Sequence, residues 1–393
     1  MECPLVKATD DQVTRTVRAG LESELMTGAV IPPIYLSSTY AFRGYGEKGA
    51  YDYSRTANPT RDLLGAALGD LEGGAGGVIT ASGMAAVALC VQLLPARARL
   101  IAPHDCYGGT FRLFDALHRR GDHQVEFVNF GDEAALAAAL SRPAAMLWIE
   151  TPSNPLLRLT DIEAVAQRGH AAGALVVVDN TFLSPAWQQP LRLGADLVVH
   201  STTKYINGHS DVVGGAVIAA RAEQHEQLKW WANCLGLTGS PFDSFLTLRG
   251  LRTLHARLAV HGRNAETLAH WLAAQRGITK VYYPGLPTHP GHALARRQQS
   301  GFGAIVTVEL AGGIPAVKAF VDGLRIFSLA ESLGGVESLV AHPASMTHAA
   351  MLEPARHAAG LTDGLLRLSV GIEAVSDLQA DLQAALERAA AVR

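Results

Sequence analysis

A chain of 393 residues is longer than one ordinary core needs, and with 48% hydrophobic and 18% charged residues it has the composition of a well-packed globular protein of two or three domains. The balance of 33 basic against 36 acidic residues, a net charge of −3, offers a polyanion little to grip and argues against a nucleic-acid partner. No uncharged apolar run reaches the about 18 residues a membrane span needs, and MECPLVKATDDQV at the start lacks a basic stretch followed by an apolar one, so a cytoplasmic protein with no membrane partner is expected.

In chain order, residues 1–60 are rich in turn formers (TGAVIPPIYLSSTY, then RTANPT) and keep no sustained period, which reads as an extended arm reaching a neighbouring subunit. From 61 to 255, helix-like stretches alternate with short apolar runs: RLIAP (99–103), VEFVNF (125–130), AMLWIE (145–150), ALVVVDN (174–180) and DLVVHS (196–201). Runs that are apolar throughout, rather than at every second residue, are strands covered on both faces. The expectation is an α/β domain with a mainly parallel central sheet and helical crossovers. A long helical region (about 243–275) leads into residues 256–393, where AIVTVEL (304–310), RIFSLA (325–330) and LLRLSV (365–370) alternate with helical segments. That part reads as a smaller α+β domain.

Ligands of open parallel sheets sit beyond the carboxyl ends of the strands, so polar residues that end apolar runs draw the eye. ALVVVDN carries Asp179 at its end; DLVVHSTTKY carries Ser201, Thr203 and Lys204. The 25 residues from 179 to 204 suffice for one crossover, which would bring an acid and a lysine to one rim. Pyridoxal 5'-phosphate chemistry needs that pair: an amine to form a Schiff base and carry protons, and a carboxylate beside the pyridine nitrogen. The phosphate needs helix-start N–H groups and hydroxyls. TASGMAAVALC offers Ser82, Gly83 and Met84 where a turn enters an apolar helix, and Ser201 and Thr203, on alternate residues of a strand end, would point the same way.

Eight segments then fall into one pattern: YDYSRTANPTRD (51–62), ASGMAA (81–86), DCYGGTFRLFD (105–115), ETPSNPLL (150–157), VVDNTF (177–182), HSTTKYINGHSDVVGG (200–215), LAESLGGVESL (329–339) and LRLSVGIE (366–373). In order and over nearly the whole chain, they resemble the Cys/Met-metabolism family of fold-type I PLP-dependent enzymes, whose fold is aspartate aminotransferase-like. The resemblance implies that Lys204 is the Schiff-base lysine, Asp179 the partner of the pyridine nitrogen and Tyr107 the ring that stacks on the cofactor and helps in acid–base steps. It implies that Gly83, Met84, Ser201 and Thr203 hold the phosphate, joined by Tyr53 and Arg55 from a neighbouring subunit, in a dimer of dimers.

For the substrate, the resemblance implies that Arg367 grips the α-carboxylate with help from Asn154 and the backbone near Ser332. An arginine set among the apolar neighbours of LLRLSV would, unpaired, cost about 3 kcal/mol or more, so a paired role is expected. Asp52 and Glu331 are candidates for orienting substrate polar groups, and Arg112 for a distal carboxylate. The implied reaction is γ-replacement of O-succinyl-L-homoserine by L-cysteine, giving L-cystathionine and succinate, as in methionine biosynthesis. The alternative is cleavage of L-cystathionine to L-cysteine, 2-oxobutyrate and ammonia.

Other features point elsewhere only at first sight. Cys3, Cys90, Cys106 and Cys234 lack C-x-x-C spacing and read as reduced thiols. His342 and His348 have no third ligand at a suitable spacing, so no metal site is expected. His104, Asp105 and Cys106 are consecutive on an extended segment and cannot form a triad among themselves. Neither a G-x-S-x-G elbow nor a P-loop is present.

Overall fold

The structure is a computed structural model that describes residues 11–21, 23, 24, 26–347, 356 and 359–392. Its first sheet is built from β1 (Gly76–Thr80), β2 (Arg99–Pro103), β3 (Gln124–Val128), β4 (Met146–Glu150), β5 (Leu175–Asp179), β6 (Leu197–His200) and β7 (Gly215–Ala219). Their spatial order is β1-β7-β6-β5-β4-β2-β3. The run from β6 to β3 is parallel, and only β7 opposes its two neighbours. β4 and β7 are buried at every position, which accounts for their unbroken apolar sequences.

The helix Pro59–Glu72 shows how local sequence sets this layer. Asn58 caps it by accepting the N–H groups of Thr60 and Arg61, Pro59 takes the first turn, and Gly73 ends it at φ 77°. It then lies against β1 backbone to backbone: a Cβ at Gly77 would meet the Gly65 carbonyl oxygen at 2.6 Å. A larger residue there would push helix and strand apart.

A second sheet holds β8 (Ile278–Tyr282), β9 (Ile305–Leu310), β10 (Ser328–Leu329), β11 (Leu339–Ala341) and β12 (Leu365–Ser369), in the order β10-β11-β12-β9-β8. It is antiparallel except for β10 on β11. One continuous core joins the two sheets, running from Val198 and Ile218 through Leu251 and Leu258 to Val306, Leu368 and Leu382.

Three expectations need adjusting. The helical region near 243–275 is two helices, Pro241–Leu251 and Leu254–Ala273, parted where the Gly250 carbonyl accepts from the side chains of Thr253 and Arg257. The strand within RIFSLA shrinks to Ser328–Leu329, because Asp381 takes the N–H groups of Arg325, Ile326 and Phe327. The arm contains a helix, Gln12–Arg18, capped by Asp11 and anchored by the Gln12 amide on the carbonyls of Leu71 and Pro185 at 3.0 and 2.8 Å. Beyond it the arm runs over the surface with Met26, Leu36, Phe42 and Tyr45 exposed.

The helix Gly108–Arg120 is fastened to the sheet by Phe114, which meets Trp148 of β4 edge-on at 5.5 Å, both fully buried. Replacing Phe114 by Ala should cost about 3–5 kcal/mol through the cavity it opens. A clearly lower urea midpoint is the expected readout; an unchanged one would show that this contact does not hold helix to sheet.

Candidate active site

The carboxyl ends of β4, β5 and β6 and the start of the helix Gly83–Val91 converge on one cavity of about 530 Å³, closed from the other side by β12 and the loop that carries Ser332. Lys204 enters it from the turn after β6. Its Nζ donates to Ser332 Oγ at 2.7 Å, which aims the amine into the open space. Ser332 is itself in the left-handed region, at φ 89°, and is held in place by Gly334, where a Cβ would meet the Tyr205 amide nitrogen at 2.7 Å.

Arg367, on β12, is 3% exposed. Its Nη1 donates to Asn154 Oδ1 at 3.0 Å and its Nη2 to the Ser332 carbonyl at 2.6 Å, while Nε has no partner. No carboxylate of the described residues pairs with it in a salt bridge. A guanidinium so placed has its charge and one donor unanswered, the state expected of a group that waits for a ligand carboxylate. Burial, with opposing help from nearby tyrosines and Glu331, brings its pKa down to about 10. Burial and then the charge of Arg367 bring Lys204 down to about 8.

Asp179 stands at the end of β5, where Thr181 donates its backbone N–H to Oδ1 at 3.0 Å. Burial raises its pKa, against the bonds from Thr181 and the influence of His200. Behind it, His200 Nε2 and Glu72 Oε1 lie 2.7 Å apart, both wholly buried, and the Asn180 amide donates to the same oxygen at 2.9 Å. Glu150, at the end of β4, also faces the cavity; sequence reasoning passed over it, although the rule that found Asp179, an acid closing an apolar run, applies equally to AMLWIE.

At the other end, Ser82 Oγ caps the helix Gly83–Val91 by accepting the Ala85 N–H at 3.1 Å. Gly83 lies so close to Ser201 that a Cβ would meet the Ser201 Cβ at 2.8 Å. Met84, Ser201 and Thr203 line the same wall. The expected geometry of the two hydroxyls needs correction: β6 ends at His200, so Ser201 and Thr203 sit on a turn rather than on alternate strand positions, and Thr203 Oγ1 exchanges hydrogen bonds with Gly214. Tyr107 lies over Gly109, where a Cβ would meet its ring at 2.6 Å and Met84 Sδ at 2.7 Å. Arg112 and Glu331 complete the lining, and the Arg112 side chain has no hydrogen bond or salt bridge among the described residues.

Asp52, Tyr53 and Arg55 are not part of this cavity. They lie on the exposed arm, where Asp52 pairs with Lys48 at 2.9 Å and Arg55 stacks over Tyr53 and donates to Asn233 at 3.0 Å. His342 bonds Ser345 and the Asp363 carbonyl; His348 lies outside the described residues, among which no metal-binding cluster of His, Cys, Asp and Glu occurs. Cys90, Cys106 and Cys234 are free thiols, Cys3 lying outside the described residues, and Cys106 is buried with its pKa pushed well up. No helix of the described residues is long and apolar enough to cross a membrane.

These residues fit pyridoxal 5'-phosphate. The tight Gly83–Ser201 approach leaves backbone and hydroxyl donors facing open space for a phosphate, Asp179 is an enclosed acid with no cation of the described residues close enough to pair in a salt bridge, and Lys204 is a depressed amine between them.

A folded-state pKa near 8 makes about one Lys204 amine in eleven neutral at pH 7, against about one in 3,000 at the ordinary lysine value. The rate at which the cofactor-free protein takes up pyridoxal 5'-phosphate should therefore rise with pH and level off above about 8. Replacing Arg367 by Met removes a cation and should move that midpoint upward. The unfolded chain holds this proton more tightly, so the buried amine costs stability below pH 8, and the cost falls as pH rises from 8 to 10.5. A midpoint near 10 in the parent protein would contradict the site as described.

The match to the family described as "Cys/Met metabolism PLP-dependent enzyme" spans residues 13–387. The chain is 54% identical over 376 residues to a cystathionine gamma-synthase of Escherichia coli, covering 95% of this chain and 97% of that one. Among solved structures, a cystathionine gamma synthase of Xanthomonas oryzae pv. oryzae in complex with cystathionine superimposes with a TM-score of 0.97 at 61% identity, over 98% of this chain and all of that one. A cystathionine gamma-lyase of Lactobacillus plantarum complexed with L-serine follows at TM-score 0.93 and 40% identity, over 97% and 99% of the two chains. The fold-type I architecture and the pyridoxal 5'-phosphate expected from the sequence are thereby established: the chain belongs to the Cys/Met-metabolism family of PLP-dependent enzymes.

Proposed function

We propose that the protein performs the reaction of a cystathionine γ-synthase, in which L-cysteine displaces succinate from O-succinyl-L-homoserine to give L-cystathionine. The observation that carries this reading is the pair of guanidiniums in one cavity. Arg367, with an unanswered Nε, suits the α-carboxylate, and Arg112, free of protein partners among the described residues, suits the carboxylate at the far end of the succinyl group. A substrate with a carboxylate at each end would stretch between them, past Lys204. The synthase relatives at 54–61% identity support the same choice.

Bound in this cavity, pyridoxal 5'-phosphate supplies an electron sink for the negative charge that develops at the substrate's α-carbon. The protein does the rest. Arg367 and Asn154 fix the α-carboxylate, so that the proton on Cα is presented to Lys204 Nζ. A neutral Lys204 would take that proton and, once it has passed it on and is neutral again, the same amine, steered by Ser332 Oγ, would serve Cβ as well. The Cγ–O bond then breaks and succinate leaves. Cysteine adds through sulfur at Cγ, and the protons return to Cβ and Cα. Tyr107, at the mouth of the cavity, is the helper that takes the proton of the incoming amine or thiol, and Glu331 orients the substrate's polar groups. The reading includes a cytoplasmic dimer of dimers in which Tyr53 and Arg55 reach the phosphate of a neighbouring chain and Asp52 its substrate. The exposed apolar side chains of the arm support that assembly. It also keeps the three parts expected from the sequence: arm 1–60, PLP-binding domain 61–255 and C-terminal domain 256–393.

Incubating the pyridoxal 5'-phosphate-loaded enzyme with O-succinylhomoserine and cysteine, and separately with cystathionine, tests the reading. Succinate and cystathionine should form faster than 2-oxobutyrate is released; the reverse order would favour the γ-lyase reaction of the Lactobacillus relative. Replacing Arg112 by Leu should raise KM for O-succinylhomoserine about tenfold or more and leave O-acetylhomoserine, which lacks the second carboxylate, almost unaffected. Equal effects on both esters would remove Arg112 from the substrate site.

A further inference from the structure

The γ-replacement reading gives Glu150 no task, yet few side chains of the cavity are more firmly held. It ends β4 in register with Asp179 on β5, so both carboxyls leave the same face of the sheet and line the same cavity. Glu150 is 7% exposed. Its Oε2 accepts the backbone N–H of Tyr107 at 2.7 Å, at the entry to the helix Gly108–Arg120. Tyr107 is the N-cap of that helix and makes no side-chain cap bond, and Glu150 fixes it instead through its own N–H. One side chain of β4 thereby ties down the segment that carries the ring over the cavity.

The titratable groups that bear on Glu150 are Asp179 from β5, and Asp105 and Cys106 from the loop after β2. Asp105 is already matched by Arg158 at 2.8 Å. Asp179 receives the N–H of Thr181 at 3.0 Å. Burial, and next the proximity of Asp179, hold the Glu150 carboxyl well above the usual carboxylate range. Two enclosed acids on adjacent strands resist ionising together: the Thr181 N–H and nearby His200 favour the charged form of Asp179, and that charge weighs against ionising Glu150.

We propose that Glu150 is a positioning residue that works as a neutral carboxylic acid: it clamps the Tyr107 backbone beside the cavity while leaving Asp179 as the single negative charge at that wall. The proposal uses the γ-replacement reading only to name the turnover assay. A neutral acid can be imitated by an amide of the same shape, and Glu150→Gln and Glu150→Ala therefore separate the two parts of the claim.

Three quantities are read from each variant: kcat and KM with O-succinylhomoserine and cysteine, the dissociation constant for pyridoxal 5'-phosphate titrated into cofactor-free protein, and the pH midpoint of the holoenzyme's visible absorbance. Glu150→Ala should lose about 10- to 100-fold in kcat with a smaller change in KM, and bind the cofactor several-fold more weakly, as Tyr107 loosens. Glu150→Gln should recover most of both losses and keep the absorbance midpoint within about 0.3 unit of the parent. The proposal is overturned if Gln is as impaired as Ala, if Gln moves the midpoint by about one unit or more, the mark of a lost negative charge, or if Ala behaves as the parent does. If Ala does not fold, the isosteric Gln variant still decides. Should the parent enzyme make no cystathionine, the γ-replacement reading falls alone, because the cofactor titration and the absorbance midpoint still judge Glu150.

Discussion

Charge without a close opposite charge organises this protein. Among the described residues, Arg367 is buried with one N–H unanswered, Lys204 is held near it with a weakened hold on its proton, and Asp179 is enclosed without an ion-pair partner. Each would be a liability in an ordinary core, where an unmatched buried charge is among the costliest defects. Together they form a mould: a cation-accepting acid at one end, a carboxylate-accepting guanidinium at the other, and a reactive amine between.

The fold exists to bring that mould together. No two of the three groups are close in sequence, and they come from three elements, the end of β5, the turn after β6 and the middle of β12. The first two are neighbours because β5 and β6 pair in parallel, which places their carboxyl ends at one rim. The third belongs to the second sheet and depends on the core that joins both sheets, so the site is only as well formed as that packing. Ser332 links the halves directly: its hydroxyl accepts from Lys204 and its carbonyl from Arg367.

Much of this was legible in the sequence where a single physical cause dominates. RLIAP coincides with β2, and ALVVVDN brackets β5, because continuous burial leaves an unbroken apolar run. Asp179, Lys204 and Arg367 announced themselves as polar residues ending or interrupting such runs. What stayed hidden depends on tertiary context. β1 begins Gly-Gly, a turn signal in sequence, yet a Cβ at Gly77 would meet the Gly65 carbonyl of the helix Pro59–Glu72 and one at Gly76 the His225 ring. β11 has only three residues and too little length to show a period. The clamp of Glu150 on Tyr107 joins residues 43 apart, and no local pattern encodes it. The alternate-residue argument for Ser201 and Thr203 named residues that do line the cavity but assumed a strand that had already ended.

The most direct measurement is reduction of the pyridoxal 5'-phosphate-loaded enzyme with borohydride, followed by digestion and mass mapping of the pyridoxyl label. The account expects the label on Lys204 alone, within the peptide that runs through HSTTKY. A label on another lysine, or none, would contradict the assignment of the amine on which every other role in the cavity depends.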